Sequence, residues 1–139
     1  MSLYVLATDT LQLFEDGHPA VVARVSALAH SELAISVVTV EEQLSGWYAQ
    51  LRQAKAAEKL AWAYRRLAET VRFLVRIDIV DFDESAIQRY EELKRLKLKV
   101  RTMDLRIAAT VLQRPAILVT RNRQDFQRVP GLQIEDWSR

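Results

Sequence analysis

A chain of 139 residues, half of them hydrophobic, is the size of one domain with an adequate core, and three Gly and three Pro leave no room for a flexible linker. With no Cys, disulfides and thiolate metal sites are excluded, and two His (His18, His30) are too few for a histidine-based zinc centre, so any metal must be bound by oxygen. The net charge of +2 conceals a concentration: residues 52–76 hold seven basic side chains against two acids, a local net of +5, while the other 13 basic and 16 acidic residues leave −3.

The N-terminus, MSLYVLATDTL, has no basic leader and an acid among its first ten residues, so residues 3–7 read as a buried strand and the expected location is cytoplasmic, away from membranes. Thr8 or Asp9 can cap a short helix through Phe14, which Gly17 ends, and residues 18–30 carry Val21, Val22, Val25, Leu28 and Ala29 at helical spacing. His18 and His30, near the ends of that segment, read as caps or surface residues. A largely β-branched run at 33–38 is the second strand. Thr39 caps a helix with the stripe Val40, Leu44, Trp47 and Leu51, and a helix over 54–71 packs on Ala56, Leu60, Ala63, Tyr64 and Leu67, the two forming a hairpin. Trp47 and Tyr48 sit at core spacing, whereas Trp62 falls opposite the second stripe, among Lys and Arg, and is expected to be exposed.

Residues 76–82 alternate as a third strand, Asp83 or Ser85 opens a helix to about Leu96, and Thr102 caps the next helix, placing Asp104 in its first turn on the apolar face of Ile107, Ala108 and Val111. A lone acid on a buried face is costly. Pro115 stops that helix, residues 116–119 form a short buried strand, Thr120, Asn122 and Asp125 follow in the loop, and residues 132–136 after Pro130-Gly131 form a terminal strand. Strands separated by helices predict a single three-layer α/β/α domain over 1–139 with a mainly parallel sheet.

That topology sends the acids to one edge. Glu41 and Glu42 follow the second strand, Asp104 opens its helix, Asp125 follows the fourth strand, and position 7, at the end of the first, is Ala. Carboxylates that converge repel one another unless a hard cation such as Mg²⁺ or Mn²⁺ lies between them. Arg121 and Arg123 flank the loop and are candidates to hold phosphates, as are the basic residues of the hairpin.

The motifs YVLATDTL, SVVTVEEQLSG, MDLRIAA and LVTRNRQDF…VPGLQIEDW resemble, in order, those of the PIN-domain ribonucleases, specifically the VapC-type toxins of toxin–antitoxin pairs. The resemblance implies a PIN-like α/β fold and metal-dependent RNA cleavage by an acidic cluster. It assigns Glu42, Asp104 and Asp125 to that cluster, with Thr120 and Asn122 beside it, and leaves open which of Asn122 and Asp125 is nearer the metal. The helical wheel turns Glu41 toward Leu44 and Tyr48, so Glu41 stands as the substitute for Glu42. It further implies a homodimer and a VapB-type antitoxin partner, with Trp62 at a protein interface. The departure is Ala7. The family pattern there is Asp-Thr-Asp or Asp-Thr-Asn, so LATDTL lacks the acid that anchors the metal, and Asp9, two residues on, matches the second polar position instead. The chain is then a degenerate copy or an altered, inactive form of a toxic nuclease; the otherwise intact motifs favour alteration.

Three function classes follow: an endoribonuclease toxin, inactive or nearly so as written; a non-catalytic RNA- or antitoxin-binding protein; and a phosphoryl-accepting signalling domain. The last needs paired acids after the first strand, which Ala7 does not supply.

Overall fold

In the computed structural model, which describes residues 2–139, five short parallel strands form one sheet: β1 (Leu3–Leu6), β2 (Leu33–Ser36), β3 (Asp78–Val80), β4 (Ala116–Val119) and β5 (Ile134–Glu135). Their order is β3-β2-β1-β4-β5, with Val5 in register with Ala34 on one side and Leu118 on the other. The expected α/β architecture with helices on both faces is therefore present. β3 and β5 are shorter than the runs at 76–82 and 132–136, because at the two sheet edges only one neighbour supplies hydrogen bonds. The order also disposes of the signalling-domain alternative, whose sheet runs 2-1-3-4-5.

Alternation along the strands divides the core. Val5, Ala7, Ala34 and Leu118 face one layer, built with Tyr90 and Leu93 of α5 (Glu84–Arg95) and Leu105, Ala108 and Val111 of α6 (Thr102–Leu112). Leu6, Ile35 and Val119 face the other, packing Leu11 of α1 (Thr8–Glu15), Val21 of α2 (Pro19–Ser26), Leu74 and Trp137. α3 (Val37–Gln53) and α4 (Ala57–Leu74) form the expected hairpin.

Several helix starts differ from expectation. β2 stops at Ser36, whose hydroxyl accepts from Val38 N at 3.0 Å, so Ser36 and not Thr39 caps α3; Val37 and Val38 enter the helix, and Thr39 is fully buried. Ala7, with no side-chain bond, occupies the N-cap of α1 in place of Thr8 or Asp9. Arg101 occupies that of α6 in place of Thr102. The helix expected over 18–30 is only α2, capped by His18 Nδ1, which accepts from Val21 N at 3.4 Å; a 3₁₀ turn at His30–Glu32 follows. On α4 the buried line is Ala63, Thr70 and Leu74, while Leu60 and Tyr64 are exposed, so the stripe read from sequence is rotated about the axis. Tyr48 is exposed too. Among the described residues no helix is long and apolar enough to cross a membrane.

Candidate active site

A parallel sheet of order 3-2-1-4-5 reverses direction of winding between β1 and β4, and the crevice beyond the carboxyl ends of those two strands is where such sheets bind ligands. Ala7 closes β1 there, bonded through its N–H to Val119 O at 2.9 Å, and it is 3% exposed. Thr8 then donates to Glu42 Oε1 at 2.8 Å and lies 3.2 Å from the hydroxyl of Thr39. Of the two glutamates, Glu42 is thus the one turned to the β1 end, its side chain 18% exposed, and Glu41 faces solvent. The wheel preference for Glu41 took the face of Leu44 and Tyr48 as the inward one, but Tyr48 is 46% exposed and that face is not buried.

Across the crevice, Asp9 bridges β1 to β4. Its carboxylate accepts from Thr10 N at 2.7 Å, from Arg121 N at 3.0 Å and from the buried Thr120 hydroxyl at 3.2 Å. Thr120 Oγ1 in turn accepts from Asn122 N at 3.0 Å. Asn122 caps the single-turn α7 (Arg123–Phe126): its Oδ1 accepts from Asp125 N, and its Nδ2 donates to Asp125 Oδ2 at 3.0 Å. Asn122 and Asp125 are therefore one hydrogen-bonded pair rather than alternatives. Arg121 and Arg123 are exposed. Arg123 also helps depress Asp136, where burial is outweighed by hydrogen bonds from Ser138 and by the charges of Arg139 and Arg123.

The cost of placing Asp104 on a buried face is met by a residue the sequence reading did not single out. Arg101 Nε and Nη2 lie 3.1 Å from Asp104 Oδ2 and Oδ1, a two-pronged pair, with Asp104 only 7% exposed. The same Nη2 stands 3.9 Å from Glu42 Oε2. The Asp104 hydrogen bonds, and then the charges of Asp104, Glu42 and Asp125, hold the Arg101 pKa above its ordinary value. The only signal for Arg101 in the sequence was its spacing, three before Asp104, at a helix start.

Arg101 thus stands between Glu42 and Asp104, while Asp125 pairs with Arg128 Nη1 at 3.3 Å. Among the described residues no three acidic side chains stand close enough to grip a single ion as they are. The donor chemistry nevertheless suits a hard cation: every candidate ligand is oxygen, and a monovalent cation, Arg101, already stands between them. Trp62, on the hairpin far along the chain from these loops, is 42% exposed and packs edge-on against Trp47, ring centres 5.6 Å apart.

An α/β domain with acids gathered at the β1/β4 crevice defines the class, and comparison with known proteins supplies the family. Residues 10–132 match the PIN domain. The tRNA(fMet)-specific endonuclease VapC of Shigella flexneri is 34% identical over 142 residues, covering 99% of this chain and all of that protein. The ribonuclease VapC1 of Haemophilus influenzae strain R2866 is 27% identical over 99% of both chains. The crystal structure of DNA-bound VapBC from Salmonella typhimurium superimposes with a TM-score of 0.77 at 28% identity over 99% of both chains. VapBC2 from Rickettsia felis, bound to a promoter DNA fragment, gives 0.77 at 27% over 97% of this chain and 98% of that one. This chain belongs to the PIN-domain family, in its VapC branch.

Proposed function

We propose that the protein is an endoribonuclease toxin of a toxin–antitoxin pair, dependent on Mg²⁺ or Mn²⁺, and that Ala7 leaves it inactive or nearly so. The observation that carries this reading is the meeting of Glu42 and Asp104 on one cation at the crevice that Ala7 borders, with Asp125 on the nearby α7 turn. A divalent ion held there by Glu42, Asp104 and Asp125 would supply Lewis-acid charge to a phosphodiester. The chain's own residues do the rest. Thr8 orients Glu42, the Asn122–Asp125 pair holds the α7 carboxylate toward the crevice, and the Asp9 bridge keeps the two strand ends in register. Arg121 and Arg123 are placed to meet RNA phosphates. The family's activities, as named for the Shigella flexneri and Haemophilus influenzae relatives, agree with RNA as the substrate.

Ala7→Asp tests the reading. Restoring one positioned carboxylate is expected to raise RNA cleavage in Mg²⁺ or Mn²⁺ by at least about 10²-fold, to lose that gain with a chelator, and to make the gene toxic without its antitoxin. Equal cleavage by both proteins, or none by either, would overturn it.

One observation favours a second, non-catalytic reading, an RNA- or antitoxin-binding protein: the acids are already engaged by a resident arginine. The proposed partners are a VapB-type antitoxin, as in the VapBC complexes of Salmonella typhimurium and Rickettsia felis, and a second copy of the chain. Calorimetry with the antitoxin, comparing the unaltered chain with an Asp104→Ala, Asp125→Ala double variant, should show weaker binding by the variant. Equal affinity would show that no basic antitoxin residue reads the cluster.

A further inference from the structure

Arg101 is an unusual helix start. Its backbone caps α6, but its side chain bonds none of the free amides and turns instead onto Asp104 with both prongs at 3.1 Å. The two partners are held very differently. Asp104 is buried in the first turn of α6, whereas the arginine side chain is 69% exposed and is anchored only at its head. The backbone leading to it is fixed: Lys97 and Lys99 adopt left-handed conformations (φ 53° and 61°), and Arg128 Nη1 donates to Lys99 O at 2.9 Å while lying 3.3 Å from Asp125 Oδ1. Release of Arg101 therefore needs rotation of one side chain and no loop movement.

The charges give that rotation a direction. Three carboxylates, Arg101 and the Arg128 guanidinium beside Asp125 leave the cluster about one charge negative, a field that repels an RNA phosphate. A divalent ion offers the same oxygens twice the charge, and the arginine side chain, 69% exposed, can leave for water without crossing the core. Once displaced, the guanidinium would sit at the rim of a nearly neutral cluster, with a planar fork suited to phosphate as much as to carboxylate.

We propose that Arg101 is the resident counter-ion of the acidic cluster, that a divalent ion displaces it, and that it then holds the phosphate of bound RNA, so that it is a positioning residue coupling metal binding to substrate binding. This rests on the reading of the cluster as the metal site of an RNA-cleaving enzyme. It differs from that reading in making the arginine a competitor of the metal.

The experiment uses the Ala7 chain as it stands, so that no RNA is consumed. Free Mn²⁺ would be measured by electron paramagnetic resonance for the unaltered chain, Arg101→Gln, Arg101→Lys and Asp104→Asn, with circular dichroism to confirm that each folds. Arg101→Gln is expected to bind Mn²⁺ at least about tenfold more tightly, since one competing positive charge is gone. Arg101→Lys should fall between, and Asp104→Asn should bind more weakly than the unaltered chain. Anisotropy of a labelled single-stranded RNA oligonucleotide should then show Arg101→Gln binding several-fold more weakly in saturating Mn²⁺ and losing much less in chelator, where the guanidinium of the unaltered chain is held on Asp104. If Asp104→Asn weakens Mn²⁺ binding and Arg101→Gln does not strengthen it, the counter-ion role fails while the metal site stands. If Asp104→Asn leaves Mn²⁺ binding unchanged, the metal site itself is refuted. RNA affinity lost equally with and without Mn²⁺ would refute the exchange.

Discussion

The β1/β4 crevice and the α3–α4 hairpin use polar side chains in opposite ways. At the crevice nearly every one is spent on a partner within the protein: Asp9 on the β4 loop, Thr8 on α3, Arg101 on Asp104, Asn122 on Asp125. On α4 the only ion pair among the described residues is Arg66 to Glu69, at 3.9 Å. There Leu60, Trp62 and Tyr64 stand 38–57% exposed beside Lys55, Lys59 and Arg65. A region whose groups satisfy one another holds a fixed geometry, as chemistry requires. A region whose charges and rings face water keeps its interaction energy for a partner.

The largest effect should separate the two regions by activity. In the Ala7→Asp background, Asp104→Asn is expected to cut RNA cleavage by about 10²–10³-fold. Lys55→Ala with Lys59→Ala in the same background should instead flatten the salt dependence of RNA binding and leave the cleavage rate at saturating RNA nearly intact. Equal losses in the two variants would erase the distinction.

Stability sharpens it next. Asp9→Ala removes acceptors from four donors on two segments and is expected to cost about 1–3 kcal/mol, read as a fall of several degrees in Tm. Lys59→Ala should stay within about 0.5 kcal/mol. A smaller change is expected from Trp62→Ala, which loses one edge-on aromatic pair worth about 0.5–1.5 kcal/mol. Its sharper readout is association: the apparent mass in sedimentation should fall. A large loss of helical signal with unchanged mass would place Trp62 in the core instead.

The smallest effect is a pH dependence behind the hairpin. Burial raises the Glu15 pKa above its ordinary 4.5, only partly offset by the charge of Arg66, and its Oε1 lacks a partner. A carboxyl whose pKa is higher folded than unfolded adds no penalty below the unfolded value, and costs stability increasingly as pH rises through the folded one. Glu15→Gln should therefore raise Tm by about a degree at pH 7 and leave it unchanged at pH 3.5. A gain that is the same at both pH values would rule ionisation out as the cause.

The layered α/β fold was legible because it depends on periodicity: β-branched runs alternate with stripes at helical spacing, and both survive errors of a residue or two at the ends. The approach of Glu42 to the β1 end was legible for a related reason, since parallel strands deliver the residues that follow them to one edge. Helix starts were not, because Ser36, Thr39 and Thr102 are all competent caps, and the choice lay with the packing of Val38 and Thr39 into the core.

The sequence by itself determined the class of fold and the oxygen-only character of any metal site, since composition and pattern need no knowledge of neighbours. Only the tertiary structure decided that Glu42 rather than Glu41 meets Thr8, that Asp9 ties β1 to the β4 loop 111 and 112 residues away, and that Arg101 neutralises Asp104. Those facts turn on fractions of a helical turn and on contacts remote in the chain. Such contacts are set by the closing of the sheet and the packing of its two layers, and no local signal encodes them.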